Sequence, residues 1–300
     1  IALLERVEEE TLLDYVSSYY YSTNISKDLR DRYQIVGKLG YGASSTIWLA
    51  RDLSGKRHVV LKLFITSSSL GKHLDDEINI YKRLEARSHA HPGREAVRQL
   101  LDTFDLEVLD GQHRCLVHPP LWESVLAFLG RDPIGRLPVP VLAFTLKRLF
   151  LALDFLHSEC NVIHADIKAD NIMFGIRDED VFEKYEGLEL RDPSPRKVLD
   201  DRSIYISRNL NLPKQWGAPV LCDFGSAITG DVEHTEDIQP NIYRPPPLDL
   251  LARGSASEKF FTQDDRELFL SFMRKMLQWD PSKRHSAKAL ADDEWIRKSM

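Results

Sequence analysis

The chain has 300 residues, 43% hydrophobic and 29% charged, the balance of an ordinary globular protein with room for one large domain or two smaller lobes. A net charge of −6 argues against a nucleic-acid-binding face, and no apolar run is long enough to cross a bilayer, so neither nucleic acid nor membrane is an expected partner. Cys115, Cys160 and Cys222 each sit alone in an apolar run, which reads as small buried hydrophobes in a reducing compartment, and no secretory signal opens the sequence.

Residues 1–30 are acidic and then tyrosine-rich, with Glu8-Glu9-Glu10 followed by Tyr19-Tyr20-Tyr21. They read as an extension that packs loosely on the first lobe and carries no chemistry. Two strands are expected next, Tyr33 to Leu39 and Thr46 to Ala50, joined by Gly40-Tyr41-Gly42-Ala43-Ser44-Ser45. Glycine has no Cβ, so a G-x-G-x-x-G loop lets backbone N–H groups approach phosphates. Here Ser45 stands at the third glycine position and Ile47 at that of the usual valine. Taken by itself, such a loop also reads as a simple hairpin turn.

A second turn leads into the apolar strand His58-Val59-Val60-Leu61-Lys62-Leu63-Phe64, with one lysine inside it. Such a lysine can pair with an anionic group; the plainer reading is a lysine reaching to solvent from a strand edge. Leu74, Ile78 and Tyr81 recur at helical spacing between Gly71 and Arg87, and Glu77 on that helix is the expected partner of Lys62. Asp75 and Asp76 lie on other faces of the helix. In Cys115–Leu121, the Pro119 carbonyl can still accept and the Leu121 N–H can still donate a hydrogen bond, since proline removes only a donor. Leu142, Leu146, Leu149, Leu153 and Leu156 then mark the buried face of a helix over 141–157, without a ligand site.

The polar run within Val162–Phe174 holds Asp166, Lys168 and Asn171, and Val220–Gly225 ends in Asp223-Phe224-Gly225. A carboxylate can accept a hydroxyl proton, a lysine can steady a γ-phosphate, and an amide oxygen with a second carboxylate can hold magnesium. The order of glycine loop, strand lysine, helix glutamate, catalytic loop and D-F-G resembles the protein kinases. The resemblance implies an α+β, two-lobed fold: an extension over 1–30, a β-rich lobe over 31–118 and a helical lobe over 119–300 interrupted by an insert at 175–219. It implies that Leu39, Gly40, Tyr41, Gly42, Ala43, Ser44, Ser45, Ile47, Val60, Lys62, Glu77, Pro119 and Leu121 bind ATP. Asp166 would be the base, Lys168 its partner at the γ-phosphate, and Asn171 and Asp223 the Mg2+ ligands.

The insert between Asn171 and Asp223, together with Leu39-Gly40-Tyr41-Gly42, Leu121-Trp122-Glu123-Ser124, Ile238-Gln239-Pro240 and Asp223-Phe224-Gly225-Ser226-Ala227, is similar to the SR-protein kinases and especially their fungal members. That likeness implies serine phosphorylation of arginine/serine-rich splicing factors by a monomer that moves between cytoplasm and nucleus. The acidic insert reads as a solvated charged loop, with a substrate-facing surface as the alternative. Ala165 replaces the arginine that gathers an activation-loop phosphate, so activity without loop phosphorylation is expected.

One stretch departs from the pattern. After Tyr243-Arg244 the chain reads Pro245-Pro246-Pro247-Leu248-Asp249-Leu250-Leu251 where Ala-Pro-Glu is expected. Too few residues then precede Trp279-Asp280-Pro281-Ser282-Lys283-Arg284 for three helices of about 11–12 residues. A deletion of the Ala-Pro-Glu motif and the central helix is the expectation, leaving Arg284 without its usual glutamate. A second reading therefore stays open beside the enzyme, a catalytically impaired kinase-fold scaffold or nucleotide-binding protein.

Overall fold

Alternation along neighbouring strands decides how the first part of the chain folds. In β4 (Arg57–Thr66) Val59, Leu61 and Leu63 enter the core, so Val60 and Lys62 belong to the opposite face. The register extends that division sideways. In β3 (Ser45–Asp52) Ile47 stands opposite Lys62 and Leu49 opposite Val60, while in β6 (Gly111–His118) Leu116 stands opposite Lys62. With β1 (Asp28–Leu29), β2 (Tyr33–Tyr41) and β5 (Asp102–Val108), these strands form one antiparallel sheet in the order β1-β2-β3-β4-β6-β5. Its core face buries Tyr33, Ile35, Trp48, Ala50, Cys115 and Val117. A short helix α1 (Ser67–Leu70) and the longer α2 (Lys72–Glu85) follow β4, and β7 (Leu121–Ser124) follows the Pro119-Pro120 link.

The computed structural model describes every residue except 3–4, 88–89, 109–110, 132, 134, 232–262 and 279. It divides into two compact units: the first is Ile1–Ile78, Arg98–Glu123 and Gly175–Gly217, the second Asn79–Val97, Ser124–Phe174 and Ala218–Met300. The junction Tyr243–Leu251 and Trp279, on which the expected deletion bears, and the Ile238-Gln239-Pro240 phrase lie outside the described residues.

In the second unit, α3 (Val125–Leu129) is capped by the Ser124 hydroxyl, and α4 (Val139–Asp154) runs on into a π-turn at Phe155–Glu159. The leucine repeat locates this helix, but Leu142, Leu146, Leu149 and Leu153 are only partly buried, and the fully buried positions are Ala143, Thr145, Phe150 and Ala152. Ala143 and Phe150 pack with Phe272 of α6 (Gln263–Met276), with Leu290 and Ala291 of α7 (Ala287–Ala291), and with Trp295 and Ile296 of α8 (Glu294–Ser299). Two-residue strands β8 (Val162–Ile163) and β13 (Ile228–Thr229) pair antiparallel. The strand β9 (Ile172–Ile176) leads into the insert, and β12 (Trp216–Leu221) leads out of it.

Two expectations are overturned in the first unit. The insert is not a solvated loop: it folds into α5 (Asp180–Arg191) and the hairpin of β10 (Arg196–Val198) and β11 (Ser203–Tyr205). Val181, Phe182 and Tyr185 are buried, and Phe182 stacks on His58 at 4.8 Å. Two of its acidic residues are used internally, while Glu179, Asp180, Glu183 and Asp192 stay exposed. Glu186 pairs with Arg51 and, at 2.8 Å, with His58, while buried Glu189 takes Arg208 at 2.6 Å. The insert lies so close to β2 that a Cβ on Gly37 would come within 2.5 Å of the Tyr185 hydroxyl, so this position requires glycine.

Nor is the extension loosely packed. Buried Lys38 in β2 pairs with Glu9 and, at 3.3 Å, with Glu8, and Lys197 of the insert reaches Glu10 at 2.9 Å. A charge enters a core only with its counter-charge, and here the partners come from three distant stretches.

At the end of β3, buried Asp52 takes Arg32 at 2.8 Å and the Gly55 N–H at 3.0 Å, and the guanidinium holds its carboxyl down at about 2. A depressed carboxyl contributes stability that is complete above its unfolded value, near 4, and is lost as the pH falls through about 2. Asp52→Asn is expected to destabilise the fold by about 2 kcal/mol at neutral pH. Melting of both chains between pH 7 and pH 2 should show the gap closing only at the acid end; a gap independent of pH would refute the ion pair as its cause.

Candidate active site

Each unit carries half of the expected chemistry. In the first, Lys62 projects from β4 to Glu77 of α2, with Nζ at 3.0 Å from Oε1 and 3.1 Å from Oε2. The Glu77 side chain is 3% exposed and that of Lys62 13%, so this is a buried pair and not a lysine reaching to solvent. The strand register sets Ile47 between Gly40 on one side and Lys62 on the other, which joins the glycine loop to the lysine.

The loop closes as a tight hairpin in which the Gly42 N–H donates to the Ser45 carbonyl at 2.8 Å. Neither Gly40 nor Gly42 has a left-handed φ, and a Cβ added to either would meet nothing within 4 Å. Neither backbone conformation nor packing therefore demands glycine. Open space over the backbone is what a phosphate cradle leaves, and a bound nucleotide would fill it. Val60 is buried on the same face as Lys62; Pro119 lies in the link after β6, and Leu121 opens β7.

The second unit holds the catalytic loop. Lys168 Nζ lies 2.7 Å from Asp166 Oδ2, and that carboxylate raises the lysine above its ordinary value, so it remains a cation. Asn171 Nδ2 donates to Asp166 O at 2.8 Å and to Asp166 Oδ2 at 2.9 Å. With its N–H₂ committed to Asp166, the Asn171 amide presents its oxygen as the group for a cation. Asp166 Oδ1 is buried and has no hydrogen-bond partner among the described residues.

Buried His164 supports the loop from beneath. Its Nδ1 accepts the Asp166 N–H at 3.3 Å, so its Nε2 carries the proton and donates to the Cys222 carbonyl at 3.0 Å. Burial lowers its pKa and keeps the ring neutral, as that network needs. The Cys222 N–H donates in turn to the Asn171 carbonyl at 2.7 Å, which brings the start of D-F-G beside the catalytic loop. Phe224, fully buried, packs edge-on against Tyr81 at 5.3 Å and near His164 at 5.2 Å. This anchor leaves Asp223 exposed in the left-handed region at φ 64°, and Ala165 is held there at φ 60°. For residues with a Cβ that conformation costs energy, and it concentrates at functional segments.

Among the described residues no group of three His, Cys, Asp or Glu could hold a metal by protein ligands alone. Asn171 and Asp223 suit magnesium, which binds one or two protein groups and completes its shell with water and phosphate oxygens. The donor set and the open glycine loop thus fit Mg2+ and a nucleoside triphosphate.

Sequence reasoning missed Tyr20. Its hydroxyl reaches the carbonyls of Gly42 and Ala43, each at 3.1 Å, at the tip of the glycine loop. Burial and the nearby Glu9 push the phenol up to about 12, so it stays protonated. The Tyr19-Tyr20-Tyr21 run was visible, but nothing local says which ring turns inward. Arg284 is exposed and donates to the Gln278 carbonyl at 2.5 Å.

An antiparallel sheet carrying a lysine–glutamate pair, with a loop of D-x-K-x-x-N type and D-F-G in a helical unit, defines the two-lobed phosphotransferase class. The protein kinase domain profile matches residues 33–185, and the chain belongs to the protein kinase family. It is 30% identical to a serine/threonine protein kinase of Aspergillus fumigatus, over 97% of this chain and 91% of that one. It is 34% identical to SRSF protein kinase 3 of Mus musculus over 57% of this chain, which corresponds to 30% of the mouse protein's length. A solved kinase domain superimposes with a TM-score of 0.62 at 15% identity, covering 93% of this chain and 99% of its own; that likeness speaks for the fold alone. The chain is thus a serine/threonine kinase relative that resembles the SR-protein kinases. The alignment with the fungal relative runs over 374 positions against a chain of 300, so that relative carries sequence which this chain lacks.

Proposed function

We propose that the chain binds Mg·ATP and transfers its γ-phosphate to serine in arginine/serine-rich proteins. The observation that carries this reading is the asymmetry of Asp166. One carboxylate oxygen is committed to Lys168 and Asn171, while the other is buried without a partner among the described residues. A buried acceptor left unsatisfied is costly, and an arriving hydroxyl is the donor that would satisfy it.

On this reading Asp166 Oδ1 accepts the serine hydroxyl proton as the serine oxygen bonds to phosphorus and ADP leaves. Lys168 neutralises charge beside that carboxylate. Lys62, held by Glu77, binds phosphate oxygens under the glycine loop. Bound Mg2+ supplies positive charge that offsets charge building up on the phosphates. The net charge of −6 and the likeness to an enzyme named SRSF protein kinase support an arginine-rich substrate.

Sequence present in the fungal relative and absent here supports the second reading, a kinase-fold scaffold that binds nucleotide without turnover. Binding is common to both readings and is tested first. Saturation to about 100 times Kd should stabilise the fold by about 2.7 kcal/mol, a thermal shift of several degrees. Lys62→Met is expected to abolish most of that shift, and equal melting with and without Mg·ATP would remove the nucleotide site. Transfer to an arginine/serine peptide then separates enzyme from scaffold.

A further inference from the structure

We propose that Tyr20 is a positioning residue for the phosphate cradle, fixing the tip of the glycine loop so that its amides present to nucleotide phosphates; this rests on the Mg·ATP reading above. The hydroxyl donates to the carbonyls of Gly42 and Ala43, each at 3.1 Å. Across a planar trans peptide the carbonyl of one residue and the N–H of the next point in opposite directions. Pinning those two carbonyls on the Tyr20 side therefore turns the Ala43 and Ser44 N–H groups to the other side. The Gly42 N–H bond to the Ser45 carbonyl and the Ile65 N–H bond to the Ser44 carbonyl, at 2.9 Å, hold the loop's return strand, and Tyr20 adds the bonds to the carbonyls of Gly42 and Ala43 at its tip.

Tyr20 is itself held. Arg202 of the insert donates to the carbonyls of Ser17 and Tyr20, and the Tyr15 ring packs 5.2 Å from that of Tyr20. Behind the same strand, Lys38 is tied to Glu8 and Glu9, and its carbonyl accepts from the Arg208 N–H at 2.9 Å and the Tyr185 hydroxyl at 3.1 Å. Extension and insert together form the support, and Tyr20 is its contact with the loop tip.

Tyr20→Phe keeps the buried ring and removes only the hydroxyl. In the full chain the dissociation constant for Mg·ATP is expected to rise about three- to tenfold, the loss of one hydrogen bond's worth of orientation. Adenosine, which has no phosphates, should bind the variant and the parent within about twofold. Amide exchange in the 42–45 stretch should accelerate, with the unliganded melt nearly unchanged. Equal weakening of ATP and adenosine would mean general damage to the fold and overturns the proposal, as does unchanged ATP affinity with unchanged exchange. A parent chain that binds no Mg·ATP while Lys62→Met melts identically to it overturns the nucleotide reading itself, and the proposal with it.

Discussion

Asp166→Asn is expected to lower the rate of γ-phosphate transfer by about 10²–10⁴-fold, the range general-base catalysis supplies, with Mg·ATP affinity nearly unchanged. The amide is close in shape to the carboxylate and can still accept from Lys168 and Asn171, which hold Oδ2 at 2.7 and 2.9 Å. What it loses is basicity at the buried Oδ1, the oxygen without a partner among the described residues. Single-turnover transfer from Mg·ATP to an arginine/serine peptide gives the rate, and titration of the nucleotide gives the affinity. A variant within threefold of the parent rate would remove Asp166 from the role of base. A parent chain that binds Mg·ATP but transfers nothing would instead favour the scaffold reading.

The largest effect on stability is expected at Glu9. Lys38 is 1% exposed, and its ammonium is compensated by Glu9 and Glu8. Glu9→Ala removes the shorter contact and leaves a buried cation with one partner at 3.3 Å. Breaking a buried pair from one side costs about 3–5 kcal/mol, a large share of the about 5–15 kcal/mol that holds a typical domain. The first unit should then melt roughly 10 °C lower. The paired change Lys38→Met with Glu9→Leu removes both charges and should recover most of the loss, because a well-packed apolar pair is often as stable as the ionic one. If the single variant melts with the parent, the extension does not bury this charge and the support behind β2 is wrong. If the paired change is as unstable as the single, the loss comes from packing and not from an uncompensated cation.

Most of the candidate site was legible because each group lies in a short contiguous stretch with its own pattern. The lysine of β4 stands in an alternating strand, and Glu77 stands in a helix marked by Ile78 and Tyr81. Asp166, Lys168 and Asn171 belong to one loop, so their geometry is local: all three are joined by hydrogen bonds within five residues. The leucine repeat likewise located α4, since helical periodicity is a property of the local backbone, although the fully buried positions are Ala143, Thr145, Phe150 and Ala152. The charged stretches were misread for the converse reason. Acidic residues at Glu8–Glu10 and Asp178–Glu189 look solvated, because composition carries no information about a distant counter-charge. In the fold Glu9 meets Lys38, Glu10 meets Lys197, and Glu186 meets Arg51.

By itself, then, the sequence determined the fold class and the order of the candidate groups along the chain. These follow from backbone periodicity and from motifs whose members are close along the chain. Only the tertiary structure decided that the extension and the insert pack with the first unit, that Gly37 must be glycine to admit Tyr185, and that Tyr20 reaches the loop tip. Those outcomes depend on pairings between residues 22 to 199 positions apart. A periodic pattern says that a face will be buried, or a charge run that it can be solvated. Which partner arrives to cover the face or neutralise the charge is settled by the packing of the whole chain, where an uncompensated buried charge costs too much to persist.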